Sequence, residues 1–164
     1  MSMKIIAPIA AGVLLALAGA AQAATKTSSF PVTASVAKNC IIDAGPLDFG
    51  PFDGATDIDA SSTITVNCTN NTAFNVGLSQ GAYGNFTARR MRNLANSEEL
   101  VYNLYTTTAR NVVWDETTNR VGGLGGGMNV DRLVTVYGRL SGSDNTGPLE
   151  AGNFTDTIVA TIEY

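Results

Sequence analysis

The sequence predicts an all-β sandwich of immunoglobulin-like type, and three observations predict it. Beyond residue 23, apolar side chains recur at every second position in short runs, and helical periodicity is nearly absent. Clusters of Gly, Pro and Asp, as at Asp43–Gly54 and Ser141–Gly152, separate those runs. About six or seven such runs, spaced this way, suit two packed antiparallel sheets.

The elements follow in chain order. Residues 1–23 read as a secretory signal: Lys4 supplies the positive start and an apolar run extends from Ile5 to about Ala18. Ala21-Gln22-Ala23 then gives the small-x-small pattern of a cleavage site, so cutting is expected between Ala23 and Ala24. The run is too short for a stable bilayer-spanning helix. Phe30, Val32, Ala34 and Val36 form the first alternating stripe. Ile64, Val66 and Cys68 form the second, Phe74, Val76 and Leu78 the third, and Leu100, Tyr102 and Leu104 the fourth. Val112-Val113-Trp114 reads as a short apolar strand. Val134, Val136 and Leu140 bracket Tyr137-Gly138-Arg139, and a strand from Phe154 to Tyr164 closes the chain. Neither an internal repeat nor an interdomain linker is visible.

Composition narrows the function. Without Lys4, nine basic residues face fourteen acidic ones, a net charge of −5. That sign disfavours nucleic acid and anionic membrane surfaces as partners. Arg89, Arg90 and Arg92 are a local exception and read as a solvated edge. The two cysteines, Cys40 and Cys68, read as a disulfide in an exported chain. Closing a loop of about 28 residues stabilises by roughly 3.6 kcal/mol on the chain-entropy model. A two-thiolate metal site lacks its other ligands, because the chain has no histidine and no third cysteine.

Catalytic patterns do not emerge. The absence of histidine removes the commonest general base, and paired cysteines leave no thiolate. Asp53, Asp57 and Asp59 fail the spacing of a calcium loop. GGLGGG at 122–127 matches no phosphate-cradling pattern and reads as a flexible loop. Asp156 is the one acid at core parity within a strand, where an edge residue satisfied by backbone is expected. Four N-x-T triplets, at Asn67, Asn70, Asn85 and Asn153, are discounted as chance in an Asn- and Thr-rich β protein. The chain is read as a non-enzyme without cofactor or metal. The competing binding reading is a secreted monomeric carbohydrate-binding β-sandwich, with Tyr83, Phe86 and Trp114 as a sugar platform.

The two ends complement each other. On one face of the closing run lie Phe154, Ile158, Ala160, Ile162 and Tyr164, an apolar stripe with an edge open to a further strand. The stripe at Phe30, Val32, Ala34 and Val36 is a strand of matching character. Insertion of one molecule's N-terminal stripe into the next is a head-to-tail contact, which makes an open fibre. The alternative is that residues 30–40 are simply the first strand of a complete domain.

An ordered set of short segments also carries a resemblance. It includes Phe49-Gly50, Thr65-Val66-Asn67-Cys68-Thr69, Gly77-Leu78-Ser79-Gln80-Gly81, Arg89-Arg90-Met91 and Leu100-Val101-Tyr102-Asn103-Leu104-Tyr105. Trp114, Val136-Tyr137-Gly138-Arg139-Leu140 and Ala151-Gly152-Asn153-Phe154-Thr155-Asp156 follow. Together they resemble the spore-coat-protein-U-like domain, the subunit family of archaic chaperone–usher pili. The resemblance implies an incomplete immunoglobulin-like fold lacking its seventh strand. It implies a periplasmic chaperone that lends a strand, and an outer-membrane usher that exchanges it for the next subunit's extension. The implied product is a cell-surface pilus of identical subunits, serving adhesion and biofilm formation. On this reading residues 24–36 are the donor strand and 37–164 the pilin domain. Two departures stand out: Lys26 and Ser28 lie early in the donor stripe, and GGLGGG is unusually flexible for a strand connection.

Overall fold

The computed structural model describes residues 22–164. The expected signal, residues 1–23, therefore lies outside the described residues except for its last two. The chain divides into two units, Met1–Ser35 and Val36–Tyr164. In the first, the described residues form neither strand nor helix, and Phe30 and Val32 are 80% and 85% exposed.

The second unit is all-β. Its strands are β1 (Cys40–Ala44), β2 (Ile58–Cys68), β3 (Ala73–Leu78), β4 (Arg89–Asn93) and β5 (Glu99–Tyr105). They continue as β6 (Val121–Leu124), β7 (Arg132–Leu140), β8 (Phe154–Thr155) and β9 (Ala160–Glu163). One sheet runs β1-β2-β7-β5-β4-β8 and the other β6-β3-β9. Every strand pairing is antiparallel.

The core is built from the alternating stripes. Ile64, Val66 and Cys68 of β2 are buried, as are Phe74, Val76 and Leu78 of β3. Leu100, Tyr102 and Leu104 of β5 join Val134, Val136 and Leu140 of β7. β-branched residues fill β2 because a branched Cβ packs well on a pleated surface. Cys40 faces Cys68 across the β1–β2 pairing, and the two are bonded with their Cα atoms 4.1 Å apart.

Four local expectations need correction. Val112-Val113-Trp114 is not a strand: only Val113 makes a bridge, to Tyr105, because the indole of Trp114 turns into the core and donates to the Val76 carbonyl at 2.9 Å. The first glycines of GGLGGG are not loop but part of β6, paired with β3. They suit that place because the neighbours crowd it, and a Cβ at Gly123 would sit 2.8 Å from the Phe74 ring. Arg89 is no solvated edge, since it is fully buried. The closing run is not one strand either. β8 pairs with β4 in the larger sheet and β9 with β3 in the smaller, so the backbone crosses from sheet to sheet at residues 156–159.

Candidate functional site

A groove of about 930 Å³ opens into the body between two stretches of extended chain. One wall is residues 149–158 and Ala160; the other is residues 44–52. The alternation of the closing run is kept through the crossing: Phe154, Asp156, Ile158, Ala160 and Ile162 are half-buried, with exposed residues between them. On the opposite wall Leu47, Phe49 and Phe52 are half-buried and pack on the core. The Phe49 ring meets Tyr102 edge-on, with centroids 5.9 Å apart. This wall lies close over β7, where a Cβ at Gly138 would sit 3.0 Å from both Leu47 and Phe49. The floor is core: Leu78, Leu100, Leu104, Val136 and Leu140 all line it. An apolar floor of this kind suits contact with another apolar surface.

Polar side chains interrupt the lining, and one of them, Asp156, stands at inward parity on the closing wall. Asp156 accepts hydrogen bonds from Tyr102 Oη at 2.6 Å, from the Ala82 amide at 2.8 Å and from its neighbour's amide, Thr157, at 2.7 Å. Burial, reinforced by the hydrogen bond to Asp156, pushes the Tyr102 phenol far above the usual tyrosine range, so it remains a donor. Behind this pair lies Arg89. Its guanidinium donates to the Ser79 carbonyl at 2.8 and 3.0 Å, to Asn103 Oδ1 at 2.7 Å and to the Trp114 carbonyl at 2.7 Å. None of these acceptors is a carboxylate, and burial lowers the pKa of Arg89.

Phe154, Ile158 and Ala160 are thus brought together on the groove wall. Ile162 packs against the core further along β9, opposite Val76, and Tyr164 is 54% exposed. Phe30, Val32, Ala34 and Val36 are exposed and belong to no strand; of residues 30–40, the alternative first strand, only Cys40 is in a strand, as the first residue of β1. The wall at Leu47 and Phe49 was missed by sequence reasoning. Its signal is the alternation in Pro46-Leu47-Asp48-Phe49, hidden inside what reads as a turn cluster.

Two other candidate sites dissolve in the structure. The sugar platform loses Trp114 to the core, while Tyr83 and Phe86 carry the guanidinium groups of Arg92 and Arg89 on their rings. Asp53 stands apart from Asp57 and Asp59, which meet on the Arg139 guanidinium. Asp53 caps the amides of Ala55 and Thr56, Asp57 accepts from Gly142, and Asp59 pairs with Arg139 and Arg110. Among the described residues no cluster of three or more His, Cys, Asp or Glu is placed to hold a metal ion.

Comparison with known proteins agrees with this architecture. A chain of the CsuC–CsuE chaperone–tip adhesion subunit pre-assembly complex, from the archaic chaperone–usher Csu pili of Acinetobacter baumannii, has a similar fold. The TM-score is 0.58 at 20% identity, over 79% of this chain and 41% of the solved one. The chain therefore spans about two fifths of the length of that solved chain. Protein U of Myxococcus xanthus is 33% identical over 177 aligned positions, covering 97% of this chain and 96% of Protein U. The family model described as the Spore Coat Protein U domain matches residues 26–161. With a family match over most of its length and a relative aligned nearly end to end, the chain belongs to the Spore Coat Protein U domain family.

Proposed function

We propose that this chain is the repeating structural subunit of a chaperone–usher pilus, polymerised head to tail by donor-strand exchange. Residues 1–23 are the export signal, 24–36 the donor strand and 37–164 the pilin body that receives one. The observation that carries this reading is the groove of about 930 Å³, floored by core side chains of both sheets. Apolar side chains along so large an opening suit an apolar occupant. The donor is a segment of another copy, whose Phe30, Val32 and Val36 are 80%, 85% and 89% exposed in the single chain. A subunit with both a groove and a free stripe extends a fibre at each end. A periplasmic chaperone fills the groove before assembly, an outer-membrane usher exchanges it, and the surface fibre serves adhesion and biofilm formation.

The test is self-completion. Residues 24–36 grafted after Tyr164 through a flexible linker should give a stable monomer that no longer polymerises. Its thermal midpoint should far exceed that of a chain lacking residues 24–36, while the native mature chain shows filaments by electron microscopy. A deleted chain as stable and soluble as the grafted one would mean that the groove needs no strand, and the reading fails.

A further inference from the structure

The groove carries one feature that an apolar strand cannot ignore, and it fixes how that strand lies. Asp156 stands at inward parity between Phe154 and Ile158, on a wall formed by the last strand of each sheet, β8 and β9. Its carboxylate has about four acceptor sites, and Tyr102, Ala82 and Thr157 occupy three. That leaves one site without a protein partner, on a carboxylate that lines the groove together with Leu100 and Leu140. A large apolar side chain laid over it would exclude water and leave that site unsatisfied.

This restricts the register of a donor strand, on the reading that a second copy supplies one. Every pairing in the body is antiparallel, and a strand completing it alongside residues 154–162 follows suit. With Phe30, Val32, Ala34 and Val36 facing inward, each two-residue slip sets a different side chain opposite Asp156. Val36, Val32 and Phe30 are disfavoured there, because each would cover the half-buried carboxylate with a large apolar group. Ser28 opposite Asp156 would carry Val32 and Ala34 past Phe154 and off this part of the wall. Lys38 would place a donor beside the carboxylate, but the next residue is tied to its own body. Asn39 donates to Thr69 Oγ1 at 3.2 Å and accepts from the Thr69 amide at 2.9 Å. Ala34 remains.

We propose that Asp156 is a specificity-determining residue that selects a small side chain in the incoming strand, pairing Ala34 of one subunit with Asp156 of the next. The same register sets Val36 against Phe154, Val32 against Ile158 and Phe30 against Ala160. The largest donor side chain thereby meets the smallest inward residue of β9. The match extends over the six residue steps from Phe30 to Val36 and from Phe154 to Ala160, about 20 Å of extended chain on each side. Ala37 and Lys38 are left as the link into the donor's own body.

Cross-linking in fibres of the full mature chain tests the register. Residues opposite each other in an antiparallel pair are close enough for a disulfide. The double variant V32C/I158C should therefore form covalent ladders on oxidation, and V32C/A160C should not. Ladders from V32C/A160C, or from V32C with F154C, would show a slipped register and overturn the assignment while leaving donor-strand assembly intact. Ala34→Leu should lower the polymerisation rate roughly tenfold, and Thr33→Leu, facing outward, should leave it unchanged. Normal polymerisation of Ala34→Leu would remove the role given to Asp156. Absence of filaments from the unmodified chain would instead sink the polymer reading beneath it.

Discussion

The phenol of Tyr102 on β5 donates a 2.6 Å hydrogen bond to Asp156, in the crossing where the chain leaves one sheet for the other. That bond ties the middle of the larger sheet to the stretch between β8 and β9, which belongs to neither strand. Tyr102→Phe removes a neutral donor from a partly buried carboxylate and should destabilise the body by about 2 kcal/mol, measured by urea denaturation. The folded state holds the phenol protonated, so its contribution is complete below the ordinary tyrosine pKa of about 10 and is lost as pH rises beyond it. The wild-type protein should therefore weaken in alkali more steeply than Tyr102→Phe.

Arg89 gives a larger effect. Truncation to Ala would strand the Ser79 and Trp114 carbonyls and Asn103 Oδ1 without their guanidinium donors in the interior. A loss of roughly 3 kcal/mol or more is expected. Arg89→Lys should rescue little of it, because one ammonium cannot reproduce a planar fork aimed at three acceptors. Denaturation midpoints of the two variants check both statements.

Gly81 is required twice over. Its φ is +85°, a region L side chains rarely adopt, and a Cβ there would fall 2.0 Å from Asp156 Oδ2. Gly81→Ala should destabilise by about 2 kcal/mol or more. It should also displace Asp156, which a changed Tyr102 fluorescence or ring chemical shift would report.

Acid sensitivity has a different source. Asp59 accepts from Arg139 Nε at 2.7 Å and Nη2 at 2.9 Å, and those bonds, with the charge of Arg110 adding, hold its carboxyl below the usual range. Its contribution is present above the ordinary carboxylate pKa of about 3.9 and disappears as pH falls through the lower folded value. The pair is well exposed, so Asp59→Asn should cost no more than about 1 kcal/mol at neutral pH. The variant should lose less stability than wild type between pH 4 and pH 2, which thermal unfolding across that range would show.

Reducing the Cys40–Cys68 bond removes a cross-link that closes a 28-residue span. The chain-entropy model sets the expected loss at roughly 3.6 kcal/mol. Paired denaturation curves with and without reductant measure it.

The inward parity of most strands was legible because a period of two survives any sheet arrangement: Ile64, Val66, Leu100, Leu104 and Val136 are all buried where alternation put them. What alternation does not encode is partnership. Phe154 and Ile162 share a parity, and nothing in that pattern says that one belongs beside β4 and the other beside β3. Turn chemistry masked the second wall, since Gly45, Pro46, Gly50 and Pro51 surround Leu47 and Phe49. Arg89 was illegible for a related reason. A cation reads as surface until the acceptors that surround it, drawn from β5 and two connecting segments, are seen together.

In the fibre proposed above, the position of the disulfide would have a mechanical meaning under load. Tension along an N-terminal strand held by a neighbour would enter the body at residues 36–40 and meet Cys40, the first residue of β1. There the Cys40–Cys68 bond hands the force directly to β2, the strand paired with both β1 and β7. Without it, β1 would carry the pull alone and could be unzipped from β2 one rung at a time. With it, the load is spread across the broad sheet at the point of entry, and the subunit should stretch as a block rather than fray from its end.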